Sequence, residues 1–178
     1  MKKLLLLSAL LLAGMFSASA QYQRRVLVEE FTNASCPPCA GQNPGFNAIL
    51  HDNLSKITPI KYQTNWPGYD PMNVQNAAHV ATRVAYYGVT GVPNGFTDGV
   101  GITNDCNYYD NAPACLDASD IDALYTVTSP VNIVLTHSIT ADNDSILIDV
   151  TVTSDVAISG TIKLHVAVIE EEINFDAA

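Results

Sequence analysis

Basic residues are scarce in this chain: 8 Lys and Arg stand against 18 Asp and Glu, a formal net charge of −10. A surface of that sign repels polyanions, which excludes nucleic acid and anionic membrane surfaces as partners. No low-complexity tract and no internal repeat is present, so neither a disordered linker nor a repeat array is expected. No apolar run reaches the ~20 residues that a membrane-spanning helix needs. The longest, Leu4 to Phe16, follows the basic pair Lys2 and Lys3 and precedes Ala18-Ser19-Ala20. That is the form of a secretory leader with a small-residue cleavage site, over residues 1–20. A lipid anchor is excluded too, because Met15 stands where the lipidated cysteine would have to be.

Removing the leader takes away two lysines and no acid, so 158 of 178 residues remain and the charge falls from −10 to −12. The mature length suits one domain, or one with a small appendage. All four cysteines (Cys36, Cys39, Cys106 and Cys115) lie in this exported part, where disulfides persist. Four cysteines allow three pairings; local closure favours Cys36–Cys39 and Cys106–Cys115. A four-cysteine zinc site is the competing reading, and the second pair lacks knuckle spacing for it. No metal and no cofactor is expected.

The informative stretch runs from Val26 to Cys39. Val26 to Phe31 reads as a strand with Val26, Val28 and Glu30 on one face and Leu27, Glu29 and Phe31 on the other. A turn at Asn33 to Ser35 leads into a helix from about Pro37 to His51, whose first turn holds Cys36-Pro37-Pro38-Cys39. Free amides and the macrodipole at a helix start stabilise a thiolate on the first cysteine. Prolines are tolerated in that turn, yet they remove two donors and leave the Cys39 amide to reach the Cys36 sulfur. A dithiol ring of this kind is expected to be open on one side and more reducible than a structural bridge, with Cys36 the more exposed thiol. Glu30, six residues before Cys36, would lie beneath the dithiol, and Pro44 would bend the helix.

Ile57 to Gln63 reads as a second strand, parallel to the first through a βαβ crossover. The loop Thr64-Asn65-Trp66-Pro67-Gly68-Tyr69-Asp70-Pro71 then holds the lone tryptophan and should border the dithiol. Trp66 and Tyr69 are either a substrate-contacting rim or a cap over the core. A helix over Val74 to Tyr87 stops at Gly88, and a strand over Asn94 to Thr97 turns at Asp98-Gly99.

Residues 100–130 read as an insertion or connector clipped by Cys106–Cys115, with a short helix near Ser119 to Tyr125. Asp105, Asn107 and Asp110 faintly resemble a calcium loop, but neither its glycine nor its terminal glutamate is present, and a solvated loop is the better reading. From Val131 the pattern has period two: Val131, Ile133, Leu135 and Ile139; then Ile146, Ile148, Val150 and Val152; then Ile162, Leu164, Val166 and Val168. Three antiparallel strands of this kind read as part of a β-sandwich. His137 and His165 fall in these runs without ligand spacing and are read as ordinary strand residues. The run ends without a closing element, so a piece of a longer protein is expected.

Val28-Glu29-Glu30-Phe31-Thr32 before Cys36-Pro37-Pro38-Cys39, Lys61-Tyr62-Gln63 before Trp66-Pro67-Gly68-Tyr69-Asp70-Pro71, and Tyr86-Tyr87-Gly88-Val89 with Gly91-Val92-Pro93 resemble one family. It is the exported thioredoxin-like proteins of the outer membrane or secretome of Gram-negative bacteria. The resemblance covers residues 26–99 well and the rest loosely. It implies an α/β thioredoxin-like fold over 21–99, followed by the 100–130 segment and an incomplete, partial antiparallel β-sandwich-like segment over 131–178. It further implies a thiol–disulfide oxidoreductase in the periplasm, at the outer membrane or secreted. In that role Cys36 is the nucleophile, Cys39 resolves, and Pro93 is a cis residue lining a groove with Val92, Trp66 and Tyr69. Glu30 would accept the Cys39 proton, with Glu29 inert, and Cys106–Cys115 would be structural. Partners would be protein thiols or disulfides and a redox partner protein. The alternative is a secreted or outer-membrane-associated binding or assembly module braced by a permanent Cys36–Cys39.

Overall fold

The computed structural model describes residues 22–103 and 105–170. The leader over residues 1–20 and the C-terminal stretch 171–178 lie outside the described residues. The elements in order are β1 (Tyr22–Gln23), β2 (Val26–Thr32), α1 (Pro37–Asp52), β3 (Ile57–Gln63), α2 (Pro71–Tyr87), β4 (Asn94–Thr97) and β5 (Val100–Gly101). A 3-10 turn (Pro113–Cys115), α3 (Ala118–Tyr125), β6 (Thr128–Ser129), β7 (Val131–Ile139) and β8 (Ile146–Ser154) follow. The architecture is mixed α/β, in two units: one holds residues 24–127 and 164–170, the other β1 with residues 128–163.

In the first unit β2 is the central strand. It pairs in parallel with β3, from Val26↔Ile57 to Thr32↔Gln63, and antiparallel with β4, from Val28↔Thr97 to Phe31↔Asn94. With β5 the sheet order is β3-β2-β4-β5. Side chains alternate across a strand, so β2 feeds two cores. Val26 and Val28 join Phe46 and Leu50 of α1, while Phe31 joins Val89 and Phe96 with Tyr62, Trp66 and Tyr87 against it. The faces are those expected from the alternation. On α1 the buried stripe Cys39, Gln42, Phe46, Leu50 recurs at helical spacing. Each large apolar side chain buried there contributes about 1.5–3 kcal/mol.

Residues 100–127 contribute to this unit's interior. Ile102, Ala112, Leu116 and Ile121 are buried in the same cluster as Val26 and Phe46. Asp117 caps α3 in a reciprocal capping box with Asp120. The Asp98-Gly99 turn takes positive φ at both residues, 49° and 83°, as a tight hairpin between β4 and β5 demands. α2 begins at Pro71 rather than Val74, because Asp70 accepts from the Met72 and Asn73 amides. It is interrupted by non-helical backbone at Asn76 and ends at left-handed Gly88, φ 64°.

In the second unit β1 pairs with β6, and β7 pairs with β8 from Val131↔Ser154 to Ile139↔Ile146. The third period-two run does not form a strand: Ile162, Leu164, Val166 and Val168 are exposed and outside any ladder. The expected sandwich segment is therefore a two-stranded sheet among the described residues. Alternation makes a strand compatible with a sheet, but only a partner edge holds it there.

Candidate functional site

The β2–α1 junction carries the dithiol. Cys36 and Cys39 form a disulfide, and so do Cys106 and Cys115, so the pairing is the local one. Cys36 is the N-cap of α1, with Pro37 and Pro38 in the first turn. The Cys39 amide donates to the Cys36 sulfur at 3.1 Å, and the Ala40 amide to the Cys36 carbonyl at 3.1 Å. Both cysteines are buried, Cys36 3 % and Cys39 1 % exposed, which corrects the expectation of a ring open on one side. The loop before β4 closes over the pair: the Val92 carbonyl lies 3.6 Å from the Cys36 sulfur, and the Val92–Pro93 peptide is cis.

Hydrogen bonds made from within the turn and by Asp70 position it. Asn33 donates to the carbonyls of Thr64 and Gly68, at 2.8 and 3.0 Å, and accepts from the Ser35 amide. Asp70 accepts from the Ala34 amide at 2.7 Å while capping α2. The Ser35 hydroxyl donates to the Tyr69 carbonyl at 2.5 Å. A Cβ on Gly68 would stand 2.7 Å from that of Ser35, so only glycine permits this approach. The Trp66 loop thus borders the dithiol, but its two aromatics differ. Trp66 packs on the Phe31 cluster, whereas Tyr69 is 74 % exposed.

Glu30 is 1 % exposed on the α1 face of β2, opposite Lys61 in the parallel register. Lys61 Nζ lies 2.7 Å from its Oε2 but off a hydrogen-bonding direction, so neither carboxylate oxygen completes a hydrogen bond. Burial pushes the Glu30 carboxyl above the ordinary range, and the Lys61 charge only partly opposes it.

Glu29, expected to be inert, is equally buried on the other face. Arg83 grips both its oxygens at 2.8 Å, Tyr62 donates at 2.9 Å, and the Tyr87 hydroxyl completes the shell. Burial alone would raise its pKa; the bonds from Arg83, Tyr87 and Tyr62 outweigh that and hold it low. Its partners lie 33, 54 and 58 residues away, which no local pattern reveals.

The segment read as a solvated loop reaches the site. Tyr109 donates to the Pro93 carbonyl at 2.6 Å and accepts from Gln42 of α1 at 3.0 Å. The Asn111 carbonyl accepts from the Gly95 amide at 2.8 Å. Tyr109 and Gln42 were missed; the available signal was a tyrosine enclosed by a short cysteine pair.

This unit is therefore an α/β domain with a disulfide at a helix start, a cis-proline loop against it and a buried acid on the same sheet. No family model matches the chain, and no curated protein matches it. Among solved structures it is similar to HBP35 of Porphyromonas gingivalis, with a TM-score of 0.50 at 16 % identity. The match covers 66 % of this chain and 38 % of that one, and the likeness is one of fold.

Proposed function

We propose that the chain is an exported thiol–disulfide oxidoreductase with a thioredoxin-like domain, acting through Cys36 and Cys39. The observation that carries this is the Cys36 sulfur between the Cys39 amide, at 3.1 Å, and the Val92 carbonyl beside cis-Pro93, at 3.6 Å. The parallel β2–α1–β3 unit followed by α2 and the antiparallel β4–β5 pair fits the thioredoxin plan expected from the sequence. Two disulfides support a location outside the cytoplasm, and no helix among the described residues is long and apolar enough to cross a membrane.

The exchange moves two electrons. A substrate thiolate attacks the Cys36 sulfur, the Cys36–Cys39 bond breaks, and Cys39 leaves as a thiolate. The substrate's second thiolate then attacks the mixed disulfide, forming the substrate disulfide and releasing Cys36 as a thiolate. Run backwards, the reduced pair reduces a substrate disulfide by the same steps. Glu30, whose carboxyl burial pushes above the ordinary range, is the group assigned to exchange a proton with Cys39.

The competing reading, a binding or assembly module with a permanent brace, is favoured by the burial of both cysteines. Trapping separates the two. Reduced Cys39→Ser incubated with disulfide-bonded peptides should accumulate mixed disulfides at Cys36, and Cys36→Ser should not. Equal trapping by both, or none by either, contradicts the assigned roles.

A further inference from the structure

The two halves of the candidate site come from different elements. α1 carries the dithiol, and the loop before β4 carries Val92 and Pro93. One side chain from elsewhere joins them. The Tyr109 hydroxyl donates to the Pro93 carbonyl and accepts from Gln42 Nε2, three residues beyond Cys39 on the buried stripe of α1. Gln42 is itself fixed, because its Oε1 accepts from the Ala114 amide at 3.2 Å. The segment that presents Tyr109 is closed by Cys106–Cys115 and tied to β4 where Gly95 donates to the Asn111 carbonyl. A Cβ on Gly95 would stand 3.6 Å from Pro113, so the segment lies in contact with that strand.

The consequence falls on Val92. Its carbonyl faces the Cys36 sulfur, and its N–H takes no hydrogen-bond partner among the described residues. An unpaired backbone edge beside the reacting sulfur can pair with an extended polypeptide, and that pairing depends on the edge being held at a fixed distance from α1. A small disulfide has no backbone to pair and needs only the sulfur.

Building on the oxidoreductase reading above, we propose that Tyr109 is a positioning residue that selects extended polypeptide disulfides over small ones. It does so by clamping the Val92–Pro93 loop to α1. Tyr109→Phe keeps the ring and removes only the hydroxyl. In the full-length chain, kept reduced by excess glutathione with glutathione reductase and NADPH, it should raise KM for a disulfide-bonded peptide about five- to tenfold, the scale of one hydrogen bond lost, with kcat kept. The rate with hydroxyethyl disulfide should stay within about twofold of wild type. The double variant Cys106→Ser/Cys115→Ser, which loosens the segment without touching Tyr109, should shift KM in the same direction and again spare the small substrate.

If Tyr109→Phe changes both substrates equally, or neither, while wild type turns over both, the selective role is overturned and the oxidoreductase reading stands. If wild type exchanges with neither substrate, both are overturned.

Discussion

Glu29 and Glu30 are neighbours in sequence and alike in burial, yet their surroundings give them opposite effects on stability. Glu30 has a raised folded-state pKa, so the fold binds its proton more tightly than the unfolded chain does. The stability it costs is absent below the unfolded pKa of about 4.3, grows as pH rises towards the folded value, and is constant above it. Glu29 has a lowered folded-state pKa; its contribution is present above the unfolded value and is lost as pH falls through the folded one. Glu30→Gln should therefore stabilise the protein at pH 7, because it removes a carboxylate that burial disfavours. Glu29→Gln should destabilise it by about 1–3 kcal/mol, because Arg83 loses its bidentate partner. Urea unfolding from pH 4 to 8 measures both; equal effects from the two substitutions would contradict this assignment. The alternation of β2 put these residues on opposite faces from sequence alone. What covers each face was not legible, since Arg83 and Tyr87 approach Glu29 from a helix whose docking is a tertiary event.

At the scale of elements, the β2–α1 turn is held by a loop and a helix cap that contact it from across the unit. Asp70 serves two elements at once, capping α2 and accepting from the Ala34 amide. Asp70→Ala should cost about 1–2 kcal/mol by chemical denaturation, the upper part of the range for a lost cap. A cost below about 0.5 kcal/mol would mean that solvent replaces both roles. The second disulfide closes a short segment between β5 and α3, and removing it should lower stability by about 2–3 kcal/mol in the chain-entropy model. An unchanged melting temperature in Cys106→Ser/Cys115→Ser would contradict a structural role. The starts of β2, α1 and β3 were readable, the strands from their apolar runs and α1 from the turn and the prolines that open it. The start of α2 was not, because a proline after an aspartate reads equally as a loop or as a capped first turn. The run from Ile162 to Val168 had the alternation of a strand but no partner edge in its local sequence.

For the whole molecule, each unit has its own logic. Residues 24–127 bury apolar side chains on both faces of one sheet, and residues 100–127 supply part of that interior. In the β7–β8 sheet, Ile133, Leu135, Leu147 and Val152 are exposed. The cysteine pattern was legible because local closure and helix position favour the same pairs. Tyr109 was not, because its role depends on a segment folding back across β4. The reduction potential of Cys36–Cys39 tests the proposed exchange most directly. The full-length chain would be equilibrated with glutathione couples of graded ratio, quenched with an alkylating agent, and the Cys36-Cys39 peptide weighed by mass spectrometry. An exchange-active pair is expected to titrate between about −120 and −270 mV, whereas a value below about −300 mV, as in structural disulfides, would contradict that proposal.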